Sequence, residues 1–211
     1  RTLDSPDLEC QYLEKSIELG GPEDILCERF LQVLEKLDRH EDAADYMVNW
    51  ARRGNILDSS NLFLEAIRIF HAINDSVRSV GLCMELIEAG EEKAHELDDH
   101  SETVRCALEA ARFLERIYRD VIHPDGIIKA IRHQLALAPT ECIETLERLI
   151  LAQIAGDDLD GAELSTRTLL KHSPESRLAH GFLARQSDNR GEYLRALNHW
   201  ECFLTSSEPM R

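Results

Sequence analysis

The chain has 211 residues, with 24 Lys and Arg against 40 Asp and Glu, a net charge of −16 with His neutral. A field of that sign repels phosphate backbones and anionic lipid headgroups, so nucleic acid and membrane surfaces are disfavoured as partners. Hydrophobic residues make up 43% and aromatics only 6%, a mix that supports a continuous core and favours helix, because straight-chain residues lose little rotamer freedom there.

Helix punctuation is regular from the start. Ser5-Pro6 places a cap residue before a proline at the first helical position, and Gly20-Gly21 ends that helix. Residues 23–37 and 41–53 form the next pair, closed by Gly54-Asn55. Helices near 59–72 and 76–89 follow, the second ending at Gly90. After a charged segment come a long helix near 101–121 and another opening at Pro124. The last four run near 141–155, 158–172, 174–190 and 192–205. No stretch alternates with the period of two that a strand requires.

Within these segments apolar residues recur at helical spacing: Ala43, Met47 and Trp50; Val77, Val80, Met84 and Ile87; Tyr193, Leu197, Trp200 and Leu204. Each helix is thus apolar along one stripe, which it is expected to bury on a neighbour. Connections of roughly two to five residues force consecutive helices into antiparallel hairpins.

The hairpins repeat at the C-terminal end. Ala162 and Ala196 are 34 positions apart, Ser173-Pro174 closes one unit, and Pro209 stands near the end of the next. Gly191-Glu192-Tyr193 precedes Ala196, while Leu149 and Leu183 are the large residues of the preceding helices. In these features the chain resembles the tetratricopeptide repeat family. Upstream, Asp38-Arg39-His40-Glu41-Asp42-Ala43 matches the family's turn and small residue, with Asp38 where glycine is usual. Counting 34 further places Val77 at the small position. Residues 92–142 break the period, and Pro139 arrives three residues early relative to Ala130. The expected organisation is an N-terminal helix with two degenerate hairpins over 1–91, an irregular acidic connector over 92–142, and two repeats over 143–211.

The resemblance implies an all-α fold, a right-handed α-solenoid of antiparallel helical hairpins, and a role in protein–protein interaction with a peptide or partner helix on the concave face. Its alternative is a non-catalytic repeat domain of a larger enzyme, such as a transferase. Some members clamp a terminal carboxylate with lysine and asparagine one turn apart. The corresponding pairs here, Glu28 with Gln32, Leu62 with Ala66, Glu147 with Leu151 and Gly181 with Arg185, lack that chemistry.

No phosphate-binding glycine loop or nucleophile elbow is present. His95 and His100 are five apart, which turns them away from each other on a helix. No catalytic residue, metal site or cofactor is therefore expected, and His71 and His199 read as structural. Six cysteines (Cys10, Cys27, Cys83, Cys106, Cys142, Cys202) form no CxxC and no close pair, as expected for reduced thiols of a cytoplasmic protein. No apolar run approaches the ~20 residues of a membrane span. The start at Arg1, without a leader's basic and apolar regions, leads us to expect a piece of a longer protein.

Two groups of residues are the expected partner contacts. Arg185, Asp188 and Asn189 would face the inner surface of the last repeat. Between Glu85 and Glu109 nine acids, among them Glu91, Glu92, Asp98 and Asp99, stand against Lys93 and Arg105. That density suits a docking surface for a basic segment of a partner.

Overall fold

The computed structural model describes residues 5–18, 23–53, 59–95, 102–139 and 142–206. All regular structure among them is helical: α1 (Pro6–Glu18), α2 (Glu23–Lys36), α3 (His40–Arg53), α4 (Ser60–Ala72), α5 (Ser76–His95), α6 (Glu102–Asp120), α7 (Pro124–Leu137), α8 (Cys142–Ala155), α9 (Leu159–His172), α10 (Arg177–Asn189) and α11 (Tyr193–Thr205). The fold is all-α and built of helical hairpins, as expected. It divides into two compact units, Arg1–Ala89 and Gly90–Arg211. In the first, α1, α2, α3 and α4 pack each on the next; in the second, α6 through α11 do the same.

One turn design closes five hairpins among the described residues. Three residues separate the paired helices, and the middle one takes the left-handed backbone: Asp38 (φ 58°), Asn74 (63°), Ile122 (52°), Asp157 (59°) and Gly191 (73°). The amide after it donates to the carbonyl five residues back, as Arg39 to Leu34, Asp75 to Phe70, His123 to Tyr118, Asp158 to Gln153 and Glu192 to Ser187, all at 2.8–2.9 Å. The left-handed residue's own amide donates three back, for example Asp38 to Glu35 at 3.1 Å. This Schellman pattern satisfies carbonyls that a helix end otherwise leaves orphaned. In three turns the next residue caps the following helix: Asp75 accepts from the amide of Arg78, His123 Nδ1 from Gly126 and Asp158 from Gly161.

These turns reset the repeat count. From Asp38 to Asn74 is 36 residues, from Asn74 to Ile122 is 48, from Ile122 to Asp157 is 35, and from Asp157 to Gly191 is 34. Pro139 follows Ile122 by 17 positions, as Pro174 follows Asp157. The hairpin α6–α7 therefore stays in step with those after it, and the period fails only before it. Five residues past the left-handed position lie Ala43, Ser79, Ala162 and Ala196, all buried. The small residue of α5 is thus Ser79, not Val77, which is 85% exposed. Two extra residues ahead of that turn put the count of 34 out of step. In α7 the small residue is Gly126, where a Cβ would come 2.6 Å from the Tyr118 ring.

Gly90 does not end α5, which runs on to His95. It allows close approach instead: a Cβ there would lie 2.2 Å from Cβ of Ala107 on α6. Helix α10 starts at Arg177 rather than 174, because Pro174 and Glu175 form a turn and Ser176 is the cap. Val33, Leu34 and Phe30 with Cys10 and Ala43 form one core cluster of the first unit. In the second, Ile128, Ile131 and Leu149 join α7 to α8, and Leu146, Ile150, Leu169 and Ala179 join α8, α9 and α10. The expectation that every stripe is buried holds less well at α11. Among the described residues Tyr193, Leu197 and Leu204 remain exposed, and only Ala196 of that helix is fully buried.

Candidate functional site

The first helices of the second unit's hairpins, α6, α8 and α10, lie side by side. Glu115 of α6 accepts from Arg148 of α8 at 2.8 Å, and Leu146 and Ile150 of α8 pack with Ala179 of α10. Residues at equal distances before the left-handed turn residue therefore share one face. Six before it stand Arg116, Leu151 and Arg185; three before it stand Arg119, Ile154 and Asp188. Leu151 is 53% exposed and Ile154 37%. Two aliphatic side chains thus stay in water on a helix whose other flank, with Leu146, Leu149 and Ile150, is core. Arg112, Arg116 and Arg119 are exposed on α6 beside them.

Beneath this face sits a buried polar knot that sequence reasoning missed. Glu115, 4% exposed, accepts from Arg148 Nη1 and Gln134 Nε2 through one oxygen (2.8 and 2.7 Å) and from Arg119 through the other (3.0 and 2.7 Å). Gln134 Oε1 in turn accepts from Arg148 Nη2 at 2.8 Å. A carboxylate removed from water must be paired and hydrogen-bonded, and here two guanidinium groups and an amide do so. The knot ties α6, α7 and α8 together. The sequence signal is its position: Glu115 directly follows Leu114 and lies one turn after Ala111, on the side of α6 that faces inward.

A histidine pair links α10 and α11. His180 Nε2 lies 2.9 Å from the Pro174 carbonyl oxygen, and its Nδ1 lies 3.1 Å from His199 Nδ1. A carbonyl only accepts, so His180 carries its proton on Nε2, and its Nδ1 accepts from His199. Burial, then the neighbouring His180, hold His199 below the ordinary histidine value.

The expected contact residues fall in different places. Arg185, Asp188 and Asn189 are exposed on α10, and Asp188 accepts from the Trp200 indole at 3.0 Å, so it staples its own hairpin. Glu91 lies 2.7 Å from His133 Nδ1 and ties α5 to α7. Glu92 is exposed. Asp98 and Asp99 lie outside the described residues. Elsewhere in the acidic stretch, Glu85 accepts from Nε and Nη2 along one edge of the Arg52 guanidinium, and Glu102 and Glu109 face Arg105.

In the first unit, a cleft of about 350 Å³ is lined by Asp45, Phe70, Arg78 and Glu85 among others. Its cations are already engaged. Arg78 meets Glu41, Asp45 and Asp75 and lies 4.4 Å from the Phe70 ring centroid. Hydrogen bonds from the Arg78 amide and guanidinium hold the Asp75 carboxyl below its ordinary value. Cys10, Cys27, Cys83 and Cys106 are buried, and burial pushes the Cys83 thiol up to about 12, which leaves it no nucleophilic thiolate near neutrality. Among the described residues no group of three or more His, Cys, Asp or Glu could hold a metal ion, and no helix is long and apolar enough to cross a membrane.

No protein-family model matches the sequence, and no curated protein does. Several solved structures are similar in fold. MamA (41-end) from Desulfovibrio magneticus RS-1 aligns with a TM-score of 0.40 and 15% identity over 87% of this chain and 94% of that one. The TPR2AB domain of yeast Sti1 in complex with pHSP90 aligns at 0.43 and 15% over 95% and 84%. YrrB, a TPR protein with an unusual peptide-binding site, aligns at 0.44 and 10% over 94% and 93%. At these values the hairpin geometry of the chain, rather than the likeness, carries the fold assignment.

Proposed function

We propose that this chain is a non-catalytic, cytoplasmic protein-interaction module that receives a peptide or partner helix on the face shared by α6, α8 and α10, the concave face of a tetratricopeptide-like stack. The observation that carries this reading is the exposure of Leu151 and Ile154 at the middle of that face. An apolar pair rimmed by polar side chains matches the anatomy of a contact surface, apolar at its centre and polar at its edge. Helical hairpins that bind through one face also need no catalytic group, and four buried thiols without disulfide partners suit a reducing compartment. A basic partner on the acidic stretch has less support, because Glu85, Glu91, Glu102 and Glu109 are each already opposite a cation or imidazole.

A displayed random-peptide library selected against the protein tests this. Peptides enriched on the wild type should fail to bind a Leu151→Asn, Ile154→Asn variant that keeps its helical circular dichroism. Enriched peptides that hold both proteins equally would sink the assignment of the face.

A further inference from the structure

We infer that the cleft between α3 and α5 of the first unit takes a basic side chain presented by a partner protein. This goes beyond the α6, α8 and α10 face and does not depend on it. The cleft holds about 350 Å³, at the small end of the roughly 300–1,000 Å³ usual for ligand clefts, which suits one long side chain. Val48 of α3, Phe70 of α4 and Leu82 of α5 line it and are buried, so its floor is apolar. Val77, one turn before Gly81 on α5, is exposed and offers an aliphatic contact beside it.

Gly81 carries the inference. A glycine inside a helix loosens it relative to alanine, so its presence calls for a reason. Gly90, Gly126, Gly156, Gly161 and Gly181 each have a heavy atom within 3.2 Å of the place a Cβ would take. Gly191 has its positive φ. Among the described glycines only Gly81 has neither: a Cβ there would meet nothing within 4 Å, and the residue lines the cleft. The chain itself does not use the room that Gly81 leaves. An incoming group can therefore lie close against the α5 backbone.

Charge decides what enters. Arg78 of α5 meets three carboxylates, Glu41, Asp45 and Asp75, so one positive charge leaves two negative ones uncompensated. Around them Arg52 with Glu85 and Arg39 with Asp42 are neutral pairs, and Glu88 offsets Arg53 in the count. Both arginines of the lining are engaged, so an anion would have to displace a carboxylate to reach either. Acceptor sites, in contrast, remain: each carboxylate offers about four lone-pair positions, against about five N–H groups on a guanidinium. A cation rich in N–H donors fits that surplus, and its aliphatic stem fits Val48 and Leu82. Once in the cleft it lies well inside the roughly 8 Å beyond which physiological salt screens exposed charges.

Fluorescence anisotropy tests this with a short labelled peptide carrying one arginine between leucines, and with the same peptide carrying citrulline, the uncharged isostere. The arginine peptide should bind the wild type and the citrulline peptide about tenfold more weakly or worse. Gly81→Leu fills the cleft without changing any charge and should weaken the arginine peptide by a similar factor, as should Asp45→Asn. Gly81→Leu should also melt at or above the wild-type temperature, because leucine is the better helix former and the space is open. A lower melting temperature would mean that the chain fills the cleft itself, and would overturn the inference. So would no binding of the arginine peptide, or equal binding of the two peptides. Binding indifferent to Gly81→Leu would be general attraction to an acidic chain and would overturn it as well. A peptide released by Leu151→Asn, Ile154→Asn, and not by Gly81→Leu, belongs to the α6, α8 and α10 face, which keeps that reading and sinks this one.

Discussion

The hairpins α8–α9 and α10–α11 share a turn, a small residue and an offset of 34 residues, but not their surroundings. Helix α9 has α8 on one side and α10 on the other, so Thr166 and Leu169 are fully enclosed. On α11 the positions equivalent to Thr166 and Leu170 are Trp200 and Leu204, and Leu204 is 75% exposed among the described residues. The same local code thus yields a core helix in one case and a helix with an open apolar stripe in the other. What a side chain contributes is decided by what covers it, which the repeat motif does not encode.

Four substitutions probe that contrast, in descending order of expected effect. Leu169→Ala should lower stability by about 2–5 kcal/mol, because the cavity is enclosed on every side. Leu204→Ala, on the uncovered helix α11, should change it by less than about 0.5 kcal/mol. Denaturant titration measures both, and equal losses would mean that the two faces are covered alike. Next, Ala162→Leu and Ala196→Leu should each cost about 1–3 kcal/mol through overpacking, since both positions are buried where two helices meet. A thermal melt in which either variant matches the wild type would dissolve the equivalence of the two hairpins.

A third comparison concerns the turns. Ile122 is a β-branched residue at φ 52°, where Gly191 at φ 73° carries no such strain. Ile122→Gly should therefore stabilise by about 1 kcal/mol, while Gly191→Ala should destabilise by a similar amount. The Ile122 side chain is exposed, so little packing is lost to offset the gain.

The smallest effect is one of pH. His199 is held below its ordinary value of 6.5, so the folded hairpin favours neutral imidazole. That contribution is complete above the ordinary value and is lost as pH falls through it toward the lower folded one. The α8–α9 hairpin has Ser165 at the equivalent position and should show no such step. Stability measured from pH 8 to 5 should lose this component in His199→Gln, and an unaltered profile would remove the histidine pair from the account.

Much of the fold was legible because the turn residues advertise themselves. Asp38, Asn74, Asp157 and Gly191 are residues that tolerate a left-handed backbone, and each marked a helix boundary. Ile122 is not such a residue, and the hairpin it closes was not recognised although it is in step with those after it. Gly90 misled in the opposite sense: a glycine kept for the approach of Ala107 looks, in one dimension, like one that ends a helix. The candidate site was less legible. Arg185 was visible as a polar residue on a first helix, but Arg116 and Leu151 acquire meaning only when three helices 34 or 35 residues apart are laid side by side. Glu115 shows the same limit, since nothing local says that Gln134 and Arg148 will reach it.

The three-residue turns also bear on how the chain reaches this structure. Loop-closure entropy grows only with the logarithm of the distance spanned, and each hairpin closes within about 34 residues of its own chain. Contacts this local make for rapid folding, and hairpins can form one at a time as the polypeptide leaves the ribosome. The Glu115 knot is different, because it draws on α6, α7 and α8 at once. Hairpin formation should therefore run ahead of it, and the knot should close only once all three helices have docked.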